Sequence, residues 1–315
     1  MKEWNIRKTL LILVGITLSI LLLNQPLSSH GQKLEFDLYP SIIEIESEPG
    51  QTIQHQIIAN GSRGGNYIFK AYTLEVTDNE GHFKSSRKET EYLDWVSFTP
   101  AVLNFEAYQE KKVNLTVDIP EDTELGDYYL TISLEREFED TQMGPVLGGS
   151  LEIPLLITVY KEGEPRLEGF IKVFKTVYID FFNPVTFNVE IENPGLRKLK
   201  SFGQIIIKDR INKKMYTKEL VPQNVLADST RIAIDEEGFV QGNDYISWVS
   251  PNIVGIYTAR VDLYDKYHEE ENASILDSSK ELIFIYIDFF LFLGLSLGII
   301  LLSLVIYLNN KAKNI

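Results

Sequence analysis

The chain of 315 residues contains no cysteine. That excludes disulfides, thiolate nucleophiles and cysteine-ligated metal centres. Small extracellular domains usually lean on disulfides, but two domains of about 120 residues each bury enough core without them. The absence therefore favours an exported prokaryotic protein, most simply one from a single-membrane cell. Histidine is also scarce, with four in all. His30 lies in the leader, and His55, His82 and His268 show no metal-ligand spacing. No nucleophile elbow, phosphate loop or zinc motif occurs. Asp78-Asn79-Glu80-Gly81 resembles a fragment of a calcium loop without the remaining ligands, and reads first as a turn. The chain is therefore read as a non-enzyme with no metal and no cofactor. Carboxylates are too abundant for counting to exclude a glycosidase-type pair, which requires burial and a defined separation.

Positive charge is in the minority. There are 30 basic and 45 acidic residues, for a formal net charge of −15. The two ends hold five of the bases (Lys2, Arg7, Lys8, Lys311, Lys313) and two of the acids (Glu3, Asp288). The middle is left with 25 bases and 43 acids, a net of −18. Such a surface argues against nucleic acid, whose phosphates need neutralising. It argues equally against anionic lipid as a ligand. It suits solubility at a cell surface, or a basic or cation-bridged partner.

Long hydrophobic runs occur only at the ends. Residues 9–23 follow the basic n-region and precede Asn24-Gln25-Pro26; Ser29 and Gly31 stand in the −3/−1 relation of a cleavage site. A run of this length fits a signal peptide over residues 1–31, cleaved after Gly31 or at Ser28 or Ser29, with an uncleaved signal anchor as the alternative. The second run, Phe289 to Leu308, is long enough to span a bilayer. Tyr307, Lys311 and Lys313 at its far end place the short tail in the cytoplasm and the large region outside. Gly294 and Gly298 have the small-xxx-small spacing of membrane-helix packing, although glycine is also simply tolerated in such helices. The resulting division is a signal peptide 1–31, a first sandwich 32–160, a linker 161–165, a second sandwich 166–284, a transmembrane helix 285–308 and a cytoplasmic tail 309–315.

Between the ends, short alternating strands are broken by turn residues, with no amphipathic helical pattern. Val113, Leu115, Val117 and Ile119 alternate with polar residues and stop at Pro120. Ile53, Ile57 and Ala59 share a face, and strands are expected over 67–76, 150–160, 170–179, 185–191, 203–208 and 255–264. Lys161-Glu-Gly-Glu-Pro165 has no apolar residue and marks the boundary. Strands at this spacing indicate an all-β fold of two tandem immunoglobulin-like β-sandwiches. An internal echo supports two copies: Gly126-x-Tyr128-x-Leu130-x-Ile132-x-Leu134 recurs as Gly255-x-Tyr257-x-Ala259-x-Val261-x-Leu263. Tyr128 and Tyr257 read as tyrosine corners, with the ring inward and the hydroxyl bonded back to the preceding loop.

Pro49-Gly50-Gln51 leading the strand to Asn60, followed by Ala71 to Gly81, resembles the first domain of the WxL-interacting surface proteins of Gram-positive bacteria. Leu226-Ala-Asp-Ser-Thr-Arg231 and Gly255-Ile-Tyr257 resemble that family's late strands, and the order of segments is similar along the whole chain. The lead strands here, Phe36–Pro40 and Ile42–Ile45, are shorter than the family's, and the tail has only two lysines. The resemblance implies a first domain associated with peptidoglycan and a second that holds another surface protein.

One loop stands out. Glu135 to Gly149 is long for a hairpin and carries Phe138, Met143, Val146 and Leu147 among acids. It is a candidate partner-binding loop, unless these side chains fold back over the sandwich end. The expected function is a membrane-anchored extracellular scaffold or adhesion protein, binding peptidoglycan or a cell-surface protein through loops or an exposed sheet edge. A carbohydrate-binding surface protein, with Trp95 or Trp248 as platform rather than core, and an accessory subunit of a membrane complex are the alternatives.

Overall fold

The computed structural model describes residues 36–61, 64–78, 82–137, 150–162 and 164–313, with side chains through 306. The first half contains β1 (Phe36–Tyr39), β2 (Ile43–Ser47), β3 (Thr52–Gly61), β4 (Gly65–Val76), β5 (Phe83–Ser86), β6 (Val96–Thr99), β7 (Val102–Phe105), β8 (Gln109–Asp118), β9 (Gly126–Arg136) and β10 (Ser150–Val159). The second contains β11 (Phe170–Thr176), β12 (Ile179–Asp180), β13 (Val185–Asn193), β14 (Leu199–Lys200), β15 (Phe202–Asp209), β16 (Met215–Glu219), β17 (Asn224–Val225) and β18 (Ser229–Ala233). It continues with helix α1 (Glu236–Gln241), then β19 (Ile246–Trp248), β20 (Val254–Tyr264), β21 (Ile275–Ser278) and β22 (Leu282–Ile287). Helix α2 (Phe289–Lys313) follows directly.

The same path is drawn twice. In the first half one sheet runs β1-β3-β8-β6 and the other β2-β10-β9-β4-β5. In the second half one sheet runs β11-β13-β18 and the other β12-β22-β20-β15-β16. In each, the leading segment switches sheets: β2 joins β10 in parallel, and β12 joins β22 in parallel. The strand expected over 170–179 is therefore two strands, because the chain crosses from one layer to the other at Val177-Tyr178. The echoed segments occupy equivalent places, β9 between β10 and β4, and β20 between β22 and β15.

Each pair of sheets closes on its own core. Ile57, Val113, Leu115, Val117, Leu130, Ile132, Leu155 and Ile157 are fully buried in the first. Phe187, Val189, Ile205, Ile207, Tyr257, Ala259, Val261 and Phe284 are fully buried in the second. Period-two alternation produces this directly, since one face of each strand is apolar and the other polar. Trp248 lies in the second core, 7% exposed. Trp95 is half-buried in a 3-10 turn (Glu91–Trp95) against Tyr92 and Tyr128.

Two boundaries differ from the sequence expectation. Residues 285–287 belong to β22 rather than to the apolar helix, because Phe284 and Tyr286 alternate into the core while Ile285 and Ile287 pair with β20. The helix then runs to Lys313, through most of the expected tail. The short helix α1 had no periodic signal. Its ends are built by Asp235, whose side chain accepts from the Gly238 amide, and by Gly242 in the left-handed region at φ 71.

Candidate functional site

Described residues 36–313 fall in one compact unit, and a charge-sorted joint ties its two halves. Gly126 opens β9 at φ 150, and a Cβ there would lie 3.4 Å from the Leu196 carbonyl oxygen. Glycine is needed at this close approach. The next residue, Asp127, donates its amide to Leu196 O at 2.9 Å and accepts the Lys198 amide on Oδ2. Tyr129 donates to the same oxygen at 2.7 Å and accepts the Ala227 amide at 2.7 Å. Lys198, 6% exposed, donates from Nζ to Thr158 Oγ1 at 2.7 Å. Arg197 reaches Glu46 at 3.0 Å, and Glu44 accepts from Asn224 at 2.9 Å with Lys200 at 3.6 Å. The acids (Glu44, Glu46, Asp127) stand on the first half and the bases (Arg197, Lys198, Lys200) on the second. Burial pulls the Lys198 ammonium below its usual value, opposed by Asp127, Glu44 and Glu46. Burial, with the Asp127 carboxylate beside it, pushes the Tyr129 phenol far up.

Beside this joint lies a cleft of about 510 Å³. The first half contributes Ile42, Leu74, Val76, Phe83, Pro154 and Leu156. The second contributes the 221–231 segment and Phe239 of α1, which is 64% exposed. Ile42, Val76 and Phe83 each leave about two fifths of their surface open to it.

Three residues that line this space each hold a buried polar atom without a hydrogen-bond partner: Gln223 Oε1, Asn224 Oδ1 and Arg231 Nε. Arg231 spends Nη1 on the Asn224 carbonyl oxygen at 2.9 Å. Burial alone pulls its guanidinium below the usual value, with no opposing carboxylate. Among the described residues no acid pairs with it. The one carboxylate that lines the cleft among the described residues, Glu152, is engaged by the Ser85 hydroxyl. A half-buried cation lacking a counter-charge can receive an anion.

The residues singled out from sequence are dispersed. Phe138, Met143, Val146 and Leu147 lie outside the described residues. Tyr128 donates to the Glu124 carbonyl oxygen at 2.8 Å, with its ring only half-buried beside Tyr92 and Trp95. Tyr257 is fully buried, and its hydroxyl meets Ser250 Oγ at 2.9 Å and Asn252 Nδ2 at 2.8 Å. Gly294 and Gly298 face open space on α2. His55 is half-buried opposite Leu115, His82 bonds Asp78 at 2.8 Å, and His268 stands 3.6 Å from Glu219. No cluster of three metal-ligating side chains occurs among the described residues. Arg231 carries no motif in the sequence, where its segment signals only a late strand, and the cleft it lines is shared by residues far apart in the chain.

No family model matches the chain, and no curated protein matches it. Solved structures that resemble it include the class 5 fimbriae chaperone CfaA, at 11% identity, 80% of this chain, 99% of that chain and a TM-score of 0.39. The E. coli chaperone DraB resembles it at 10% identity, 79% and 96% coverage and a TM-score of 0.34. The Pseudomonas aeruginosa CupB2 chaperone does so at 10% identity, 76% and 98% coverage and a TM-score of 0.33. Likeness at this level transfers no partner and no activity.

Proposed function

We propose that this chain is a non-enzymatic, membrane-anchored extracellular scaffold of two tandem immunoglobulin-like domains, and that it seats a segment of a partner protein in the cleft between them. The observation that carries the reading is Arg231, a cation without a counter-charge in an apolar cleft beside the joint of the two halves. The chemistry selects a segment that offers a carboxylate to Arg231 and apolar side chains to Phe83, Leu226 and Phe239. Strand β5 ends its sheet, so an extended partner has free backbone groups to pair with there. Helix α2 supports the anchor: it is apolar, long enough to cross a bilayer, and unburied over Phe289–Ile306. The basic tail supports an outward-facing orientation. The resemblance to WxL-interacting proteins is compatible with a surface-protein partner; peptidoglycan binding remains the second proposal it implies.

The test is a selection of displayed random peptides on the full-length protein in lipid nanodiscs. Enrichment of peptides that combine a carboxylate with bulky apolar residues, with binding lost in Arg231→Gln, is the expected result. Enrichment without an acidic group, or binding indifferent to Arg231→Gln, overturns the reading.

A further inference from the structure

The end of the second half nearest α2 is built unlike the rest of this acidic surface. The polypeptide passes from β22 into α2 with a single intervening residue, Asp288. Its amide donates to the Ile253 carbonyl oxygen at 2.7 Å. Its carboxylate caps the helix through the amides of Phe290 and Leu291. The neighbouring loop stacks on the first turns of the helix, Phe181 on Phe292 at 4.4 Å and Phe182 on Phe289 at 5.6 Å. Around this point large apolar side chains stand in the open: Tyr178 is 64% exposed, Phe182 65%, Val249 64% and Ile253 65%. A ring of such residues has no reason to face water, and aromatic and aliphatic side chains level with a helix entry are favoured at a bilayer interface.

The hairpin between β15 and β16 reaches the same end. Strand β15 runs toward the helix, Asp209 pairs with Tyr257, and the Arg210 amide donates to Ile256 O at 2.8 Å. Ile256 is two residues from Val254, which pairs with Ile287, so the hairpin base sits roughly 7 Å from the level of the helix start. The hairpin carries Lys208, Arg210, Lys213 and Lys214, all exposed. None of the four forms an ion pair among the described residues. Ile211 at its tip is 56% exposed. Two acids lie beside the four bases, Glu281 on the same surface and Asp209, which is 2% exposed and bonded to Ile211, Asn212 and Asn252, so the group keeps a net positive charge. Asp180 is likewise buried and bonded to the Phe182 amide.

We infer that this end of the molecule docks on an anionic lipid surface, its apolar ring seated in the interface and the 208–214 hairpin held against headgroup phosphates. Net charge argued against anionic lipid for the surface as a whole. The hairpin is a local exception, and basic residues at this height are the ones that gain from a negative leaflet. Docking fixes how the ectodomain leans on the bilayer instead of leaving it free on a stalk. The inference rests on α2 spanning the membrane.

The absence of native cysteine makes the test direct. Single cysteines are introduced by Phe182→Cys, Ile211→Cys, Glu121→Cys and Leu301→Cys in the full-length protein and labelled with an environment-sensitive fluorophore. The proteins are reconstituted in phosphatidylcholine vesicles with or without phosphatidylglycerol, each carrying a spin-labelled lipid quencher. Quenching is expected at 301, 182 and 211 and not at 121. At 211 it is expected to be lost in neutral vesicles, in molar salt, where the screening length falls to about 3 Å, and in Lys213→Glu/Lys214→Glu. Quenching at 301 but not at 182 or 211 overturns the docking. Quenching at 182 and 211 that ignores lipid charge overturns the role of the hairpin. Loss at 301 overturns the span on which the inference stands.

Discussion

Lys198→Ala probes the joint that sets the cleft. The substitution removes a 2.7 Å bond to Thr158 Oγ1, whose residue is fully buried, and a positive charge that Asp127 favours, while the Lys198 amide keeps its bond to Asp127 Oδ2. Asp127 already has one buried oxygen, Oδ1, without a partner. Hydrogen bonds to charged groups contribute about 1.5–3 kcal/mol. Burial already works against the charged ammonium, which places the expected loss near the low end, about 1.5–2 kcal/mol. For a protein of this size that corresponds to a Tm lower by about 3–8 °C. Thr158→Val leaves the buried ammonium without an acceptor and should cost a comparable amount. Thermal unfolding of the full-length protein in detergent, followed by calorimetry, reads both values and shows whether the two halves still melt together. A Tm within about 2 °C of the native protein, with one unchanged transition, would refute the reasoning.

Three further outcomes are expected. Arg231→Gln should weaken a selected acidic peptide by about 10- to 150-fold, the equivalent of one hydrogen-bonded charge, while leaving the melting temperature nearly unchanged; titration calorimetry measures it, and equal affinity contradicts it. Burial pushes the Asp235 carboxyl upward, but Lys218 at 2.8 Å and the Gly238 and Ser247 amides outweigh it and hold the group below its ordinary value of 3.8. A depressed carboxyl contributes stability above that ordinary value and loses it as pH falls through and below it. Asp235→Asn should therefore flatten the acid limb of stability against pH and cost about 2 kcal/mol at neutral pH, read by urea unfolding. Gly255→Ala should destabilise more than Tyr257→Phe, because a Cβ at 255 would meet the buried Tyr257 ring, whereas the hydroxyl deletion loses bonds worth about 1–2 kcal/mol; chemical unfolding ranks the two.

Much of the strand framework is legible in the sequence because its signal is local. Val113, Leu115 and Val117 alternate with polar residues, and a period-two pattern permits one buried face. The echo around Tyr128 and Tyr257 likewise lands on equivalent central strands. The pattern fails where the chain changes layer. Phe170–Ile179 reads as one strand, yet the two halves of that run join different sheets, and periodicity carries no record of a crossing. It fails again at 285–287, where isoleucines that pair in a sheet look the same as isoleucines that enter a lipid helix. The cleft is the least legible part. Asp127 and Lys198 are 71 positions apart, and neither carries a motif. Arg231 resembles any solvated strand residue, and nothing in its own segment shows that residues of the first half line the same cleft. The hairpin at 208–214 is visible as a basic cluster, but the topology of β15, β20 and β22 is what brings it beside the helix.

Hydrogen–deuterium exchange of the full-length protein in nanodiscs, with and without a peptide selected for carboxylate and apolar side chains, tests the cleft most directly. Protection is expected over 221–231, 74–78 and 83–86, with β8 and the 3-10 turn at 91–95 unchanged. Protection confined to any other surface, with the cleft segments exchanging as before, would contradict the assignment of the cleft as the partner site.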